Sequence, residues 1–193
     1  MPEREVMGAE NVEGAHAKAI PADGREPLRD RILIVDYDPD WPARYLIAAE
    51  RIRSALGAGV LSIEHVGSTA VPGLAAKPII DINLVVADSS REEAYVPPLE
   101  RVDFHLVVRE PSWFEHRMLR GSVPAVNLHV FSPGCLELDR MREFRDRLRN
   151  NSDDRLRYEL TKRRLAEREW AHVQEYADAK RTVIDEIMSR PND

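Results

Sequence analysis

The stretch Ile63-Glu64-His65-Val66-Gly67-Ser68-Thr69, followed by Lys77-Pro78-Ile79-Ile80-Asp81-Ile82-Asn83-Leu84-Val85-Val86, decides how this chain is read. Leu61 to Val66 alternates in polarity and predicts a strand. The strand stops at Gly67, where the lack of a side chain lets backbone approach a ligand and the next amides can point at an anion. Ser68 and Thr69 add hydroxyl donors. Ile79 to Val86 is the strongest strand signal in the sequence. Side chains alternate along a strand, so Asp81 and Asn83 share one face while Ile80, Ile82 and Leu84 share the other. A carboxylate in so apolar a run needs a partner, because an unpaired buried charge is costly. An ion pair with Lys77 or a late arginine is the plain reading of Asp81, and a ligand site is the functional one.

Around this centre the pattern is mixed. Residues 1–29 are charged, rich in Ala and Gly and poor in large apolar residues, the composition of a flexible tail. A single domain is expected over 30–190. Arg31 to Val35 reads as a short strand. Asp40 is a candidate N-cap and Pro42 a first-turn residue for a helix that runs to about Leu56, where Gly57 and Gly59 stop it. Residues 89–100 suggest a helix broken by Pro97-Pro98. Phe104 to Val108, Trp113 to Leu119 and Ala125 to Phe131 read as three further strands, antiparallel neighbours. Leu136 to Arg149, Asp153 to about His172 and Gln174 to Met188 carry helical spacing with dense charge between the apolar positions. The fold class is therefore α+β (mixed): a sheet of about five to six strands flanked by helices, with a C-terminal helical cap.

Composition narrows the function. The 193 residues include 28 Lys and Arg against 34 Asp and Glu, a formal charge of −6. Such a chain lacks the broad positive field that nucleic-acid binding usually needs. The single cysteine, Cys135, excludes an internal disulfide and a Cys-based zinc site. No apolar run approaches the roughly 20 residues of a membrane helix, and no secretion signal is visible at the N-terminus. A cytoplasmic location is the expectation.

The string Ile63 to Ile82, IEHVGSTAVPGLAAKPIIDI, resembles the signature of the GrpB family, a branch of the nucleotidyltransferase superfamily. The opening VDYDPDWPARY, the later NLHVFSPG and the helical FRDRLR, LTKRRLA and YADAK are similar to that family as well, so the resemblance covers about Ile32 to Ile187. It implies a nucleotidyltransferase-like fold in which a Gly-Ser turn holds a triphosphate and strand carboxylates hold divalent metal, with in-line attack at the α-phosphate. Carried over residue by residue, it puts Gly67, Ser68, Thr69 and Lys77 on the phosphates and gives Asp81 and Asn83 to Mg²⁺. Asp81 and His129 take the catalytic roles. Asn127 and His129 alternate on their strand and would face the same cleft, His129 as metal ligand, phosphate contact or general base. Arg145, Lys162, Tyr176 and Lys180 fall within the matching helical strings and would close over the ligand.

Family members also occur fused to dephospho-CoA kinase. This chain has no Gly-Lys-Ser/Thr phosphate loop, so kinase activity is not expected of it. The second acidic position is Asn83, a neutral ligand, which implies weak metal binding or binding only alongside nucleotide. Three functions follow: a metal-dependent nucleotide-binding protein or nucleotidyltransferase with an unknown acceptor, a non-catalytic module for a phosphorylated small molecule, or an accessory protein to coenzyme A metabolism. Glu64 and His65 cannot both face the cleft, and Glu64 reads as paired. His105 and His116 carry no pattern that ties them to the site.

Overall fold

The computed structural model describes residues 31–191. The expected tail at 1–29 lies outside the described residues. A helix α1 (Trp41–Leu56) is followed by strands β1 (Ser62–Val66) and β2 (Ile80–Val85), a short helix α2 (Val96–Glu100), and strands β3 (Phe104–Glu110), β4 (His116–Gly121) and β5 (Val126–Phe131). Helices α3 (Leu136–Asn150), α4 (Ser152–Ala166), α5 (Val173–Ala179) and α6 (Arg181–Met188) complete the chain. The sheet order is β1-β2-β5-β4-β3, with β2 and β5 parallel and every other neighbouring pair antiparallel.

One face of the sheet is the main core. Ile80, Ile82 and Leu84 of β2, Leu128 and Val130 of β5 and Leu119 of β4 pack against Trp41, Ala48 and Ile52 of α1 and Val96 and Leu99 of α2. The α1 positions recur at helical spacing, which makes the helix amphipathic toward the sheet. Pro42 sits in its first turn, and Gly57 at φ 52° ends it by donating to the Arg53 carbonyl. Asp40 makes no side-chain cap there. The opposite face carries the polar residues of β2 and β5. Helix α3 packs over β1, and α4, α5 and α6 pack beyond it. A second apolar cluster joins Val71 and Leu74, just after the Gly67 turn, to Leu148, Tyr158, Val183 and Ile187 of the late helices.

Several further details differ from the sequence expectations, and α4 ends at Ala166 rather than near His172. Arg31 to Val35 forms no strand: only Val35 bridges, to Ala76, and Ile32 instead packs with Leu165 and Tyr176. Residues 89–100 divide into a 3₁₀ turn and the short α2, with Pro97 and Pro98 inside the first turn of α2, where a missing amide proton does no harm. Trp113 belongs to the β3–β4 turn rather than to β4. The last expected helix is split at Lys180 into α5 and α6. Among the described residues no helix is long and apolar enough to cross a membrane.

Ile82 is fully buried at the centre of the main core. Ile82→Ala is expected to lower stability by about 2–5 kcal/mol, read by urea unfolding, because the close-packed neighbours cannot collapse into the gap.

Candidate functional site

The parallel pairing of β2 and β5 sets Asp81 opposite Asn127 and Asn83 opposite His129. Antiparallel pairing adds Glu64 beside Asn83, Met118 beside His129 and Arg120 beside Asn127. Partners directly across a ladder share a face, so these side chains all stand on the side away from the core. Asp81 is the carboxylate at their centre. It is closely surrounded yet keeps 31% of its side chain accessible, as a group on the floor of a hollow does. The Asn127 amide donates to its Oδ1 at 2.9 Å, and His129 Nε2 lies 3.9 Å from the same oxygen. Burial pushes the Asp81 carboxyl up, but His129, Asn127 and the charge of Lys180 outweigh it and hold the group below its ordinary range. The ion pair to Lys77 or a late arginine, considered from sequence, is not its direct contact.

The turn beside Asp81 demands glycine. Gly67 has φ 69° and ψ −169°, a region only glycine occupies readily. A Cβ there would sit 2.4 Å from Asp81 Oδ2. Ser68 Oγ accepts from Lys162 Nζ at 3.0 Å, and Lys162 also donates to the Ala75 carbonyl. Burial, then the charge of Lys180, push the Lys162 ammonium down to about 7. Tyr176 is clasped between Lys77 and Lys180, whose nitrogens stand 4.7 and 4.9 Å from its ring centre. Burial and Lys180 likewise bring Lys77 down to about 8, although Asp81 opposes the shift. Three lysines from separate segments thus lie near the Gly67 turn, and each feels the charge of Asp81.

Of the expected site residues, Thr69, Arg145 and Asn83 have partners elsewhere, and Glu64 is paired as its sequence reading expects. Thr69 is buried with its hydroxyl against His65 Nε2 and the Ile79 carbonyl. Glu64 pairs with Arg142 and Arg145. Arg145 is further occupied by Asp146 and by the His65 carbonyl. His65 stacks on Tyr45 of α1, on the core side of the sheet. Asn83 is only 4% exposed: its amide donates to Met141 Sδ at 3.3 Å, and its Oδ1 is buried without a partner.

The sequence reading missed His116. This buried side chain hydrogen-bonds Glu110 Oε2 through Nδ1 at 2.7 Å and His129 Nδ1 through Nε2 at 3.0 Å, with the two imidazoles stacked 5.2 Å apart. Burial, then His129 and Arg117, push its pKa down to about 3, so it is neutral near pH 7. An ionised carboxylate only accepts, so His116 carries its proton on Nδ1 and accepts at Nε2. His129 must then donate from Nδ1, and its Nε2 is aimed at Asp81.

Among the described residues no group of three or more His, Cys, Asp or Glu is arranged to hold a metal ion. Asp81 Oδ1 and His129 Nε2, 3.9 Å apart, are the two groups here that could hold a cation, whereas Asn83 Oδ1 is buried and closed to solvent. A magnesium ion held there would need water or ligand oxygens for the rest of its shell.

Gly67→Ala and Gly73→Ala separate the two demands on the turn. Both glycines have positive φ, but only Gly67 abuts Asp81; nothing lies within 4 Å of a Cβ at Gly73. Gly67→Ala should lower stability by about 1–3 kcal/mol and by more than Gly73→Ala, measured by urea unfolding.

Comparison with known proteins agrees with this architecture. The family model described as GrpB protein matches residues 31–190. A UPF0157 protein of Halalkalibacterium halodurans is 55% identical over 167 residues, 86% of this chain and 86% of that protein. A dephospho-CoA kinase of Mycolicibacterium paratuberculosis is 38% identical over 78 residues, which is 39% of this chain and 19% of the kinase. The crystal structure of conserved protein GrpB from Enterococcus faecalis aligns with a TM-score of 0.66 at 25% identity, covering 81% of this chain and 100% of that one. The fold is thus mixed α+β and nucleotidyltransferase-like, and the chain belongs to the GrpB family.

Proposed function

We propose that this protein binds a phosphorylated small molecule, foremost a nucleoside triphosphate with Mg²⁺, in the hollow above Asp81. The observation that carries this reading is the gathering of Lys77, Lys162 and Lys180 near the Gly67 turn, where each feels the charge of Asp81. Two of the three have depressed pKa values, and neighbouring ammoniums repel. Their contacts with Ser68, the Ala75 carbonyl and the Tyr176 ring hold them in place but neutralise no charge, whereas a polyphosphate would. Ser68, Lys77, Lys162 and Lys180 would meet the phosphates. Asp81 would share Mg²⁺ with them, and the ion would neutralise phosphate charge. The short match to a dephospho-CoA kinase leaves an accessory role in coenzyme A metabolism with no geometry of its own to support it.

Nucleotidyl transfer is the second reading, favoured by the line Glu110–His116–His129. In that step an acceptor hydroxyl gives its proton to His129 Nε2 while its oxygen bonds the α-phosphorus. The bond from that phosphorus to the bridging oxygen breaks, and pyrophosphate leaves. Wild type releasing pyrophosphate only when an acceptor is added, with His129→Gln silent yet still binding nucleotide, is the pattern this reading expects.

Mg·ATP at a hundred times its dissociation constant should stabilise the wild type by about 2.7 kcal/mol, and Lys162→Met should lose the effect. Absence of any stabilisation by Mg·ATP or by inorganic tripolyphosphate defeats the proposal.

The reading also fixes the sign of a pH effect. Only the protonated ammoniums attract phosphate, and Lys162 and Lys77 lose their protons near pH 7 and 8. Affinity for Mg·ATP should therefore weaken from pH 7 to 9, by up to about tenfold per pH unit for each group. Titration calorimetry across that range measures it.

A further inference from the structure

The β3–β4 hairpin ends in Pro111-Ser112-Trp113-Phe114-Glu115, and this turn is unusual in two respects. Phe114 and Glu115 are consecutive non-glycine residues at φ 54° and 51°, where L side chains are crowded. Both its large rings also face solvent, Trp113 at 36% and Phe114 at 44% exposure. The turn is nonetheless firmly tied. Trp113 N–H donates to the Glu110 carbonyl at 3.1 Å, and His116 N–H donates to the Trp113 carbonyl at 3.0 Å. The buried Arg117 guanidinium grips the Glu115 carbonyl at 3.0 Å and is itself held by Glu92. Positive φ at both central residues is what a two-residue hairpin turn requires; the exposed aromatic surface on so firmly tied a turn is what points to a ligand contact.

Its position says which ligand. The Trp113 ring stands edge-on to His116 at 5.0 Å and to Phe131 at 5.9 Å. His116 stacks on His129 at 5.2 Å, and His129 faces Asp81. Rings thus lead in unbroken contact from the hollow across β5 and β4 to the hairpin tip. The late helices lie toward the β1 side, where α3 packs on β1. A sugar lying over His129, with its phosphates toward Lys77 and Lys162, would direct an attached base toward Trp113 along this line of rings.

We propose that Trp113, braced by Phe114, is the stacking platform for the nucleobase of a ligand whose phosphates occupy the Asp81 hollow. The platform rests on the phosphate site proposed above and adds to it the recognition of an aromatic base. Stacking on an indole tolerates any base, since every base presents a π-face.

Calorimetric titration of the full chain with Mg·ATP and, separately, with Mg·tripolyphosphate tests this. Wild type should bind Mg·ATP about tenfold or more tighter than tripolyphosphate, the size of one base stack. Trp113→Ala should erase that advantage and leave tripolyphosphate affinity unchanged, which also shows that the variant is folded. Trp113→Phe should keep most of the advantage. Wild-type tryptophan emission should respond to Mg·ATP and not to tripolyphosphate, and Trp113→Phe should lose the response. If wild type binds both ligands equally, or Trp113→Ala keeps the full preference for Mg·ATP, the platform is refuted while the phosphate site stands. If neither ligand binds wild type, both readings fall together.

Discussion

The parallel register of β2 on β5 is the constraint from which the rest of the molecule follows. It sets Asp81 against Asn127 and Asn83 against His129. A slip of one residue would send those polar side chains into the core and Ile80, Ile82 and Leu84 into the hollow. The slip is forbidden because α1 and α2 cover one face with apolar surface and leave no partner for a carboxylate there. Hydrophobic burial on one side of the sheet thereby fixes the polar constellation on the other.

The helical cap brings lysines to one edge of that constellation. Helices α3 and α4 are clamped by a buried ion pair, Arg147 Nε to Asp154 Oδ2 at 2.7 Å, and Arg190 adds a second contact to the same carboxylate. Asn151 caps α4 by accepting from the amides of Asp153 and Asp154. The rigid pair then lowers Lys162 onto Ser68 Oγ from the far side of the turn. Helix α5 contributes Tyr176, and Lys180 follows at the junction with α6. Cations from three separate segments are thus held at one place by packing that is itself apolar or internally paired.

Much of this was legible in the sequence, because it depends on local period. The alternation of IIDINLVV gave the faces of β2, and the glycine at position 67 announced a turn where a side chain could not fit. The string from Ile63 to Ile82 carried the family. What could not be read depends on register or on competition between neighbours. RILIV has strand composition, yet Ile32 is drawn to Leu165 and Tyr176, and only Val35 reaches a partner. His116 looked incidental because its role comes from antiparallel pairing that sets it against Glu110 on β3 and beside His129 on β5. Asn83 has the spacing of a metal ligand, but Met141 of α3 covers it, a contact no strand pattern reveals. Arg145 matched the family string and is taken by Asp146 and Glu64.

The most direct test of the account is a crystal structure of the full chain grown with Mg²⁺ and a non-hydrolysable nucleoside triphosphate. The account predicts phosphate density between Ser68, Lys77 and Lys162, with a cation touching Asp81. Nucleotide bound on another surface, while Asp81 keeps only Asn127 and His129 as neighbours, would contradict it.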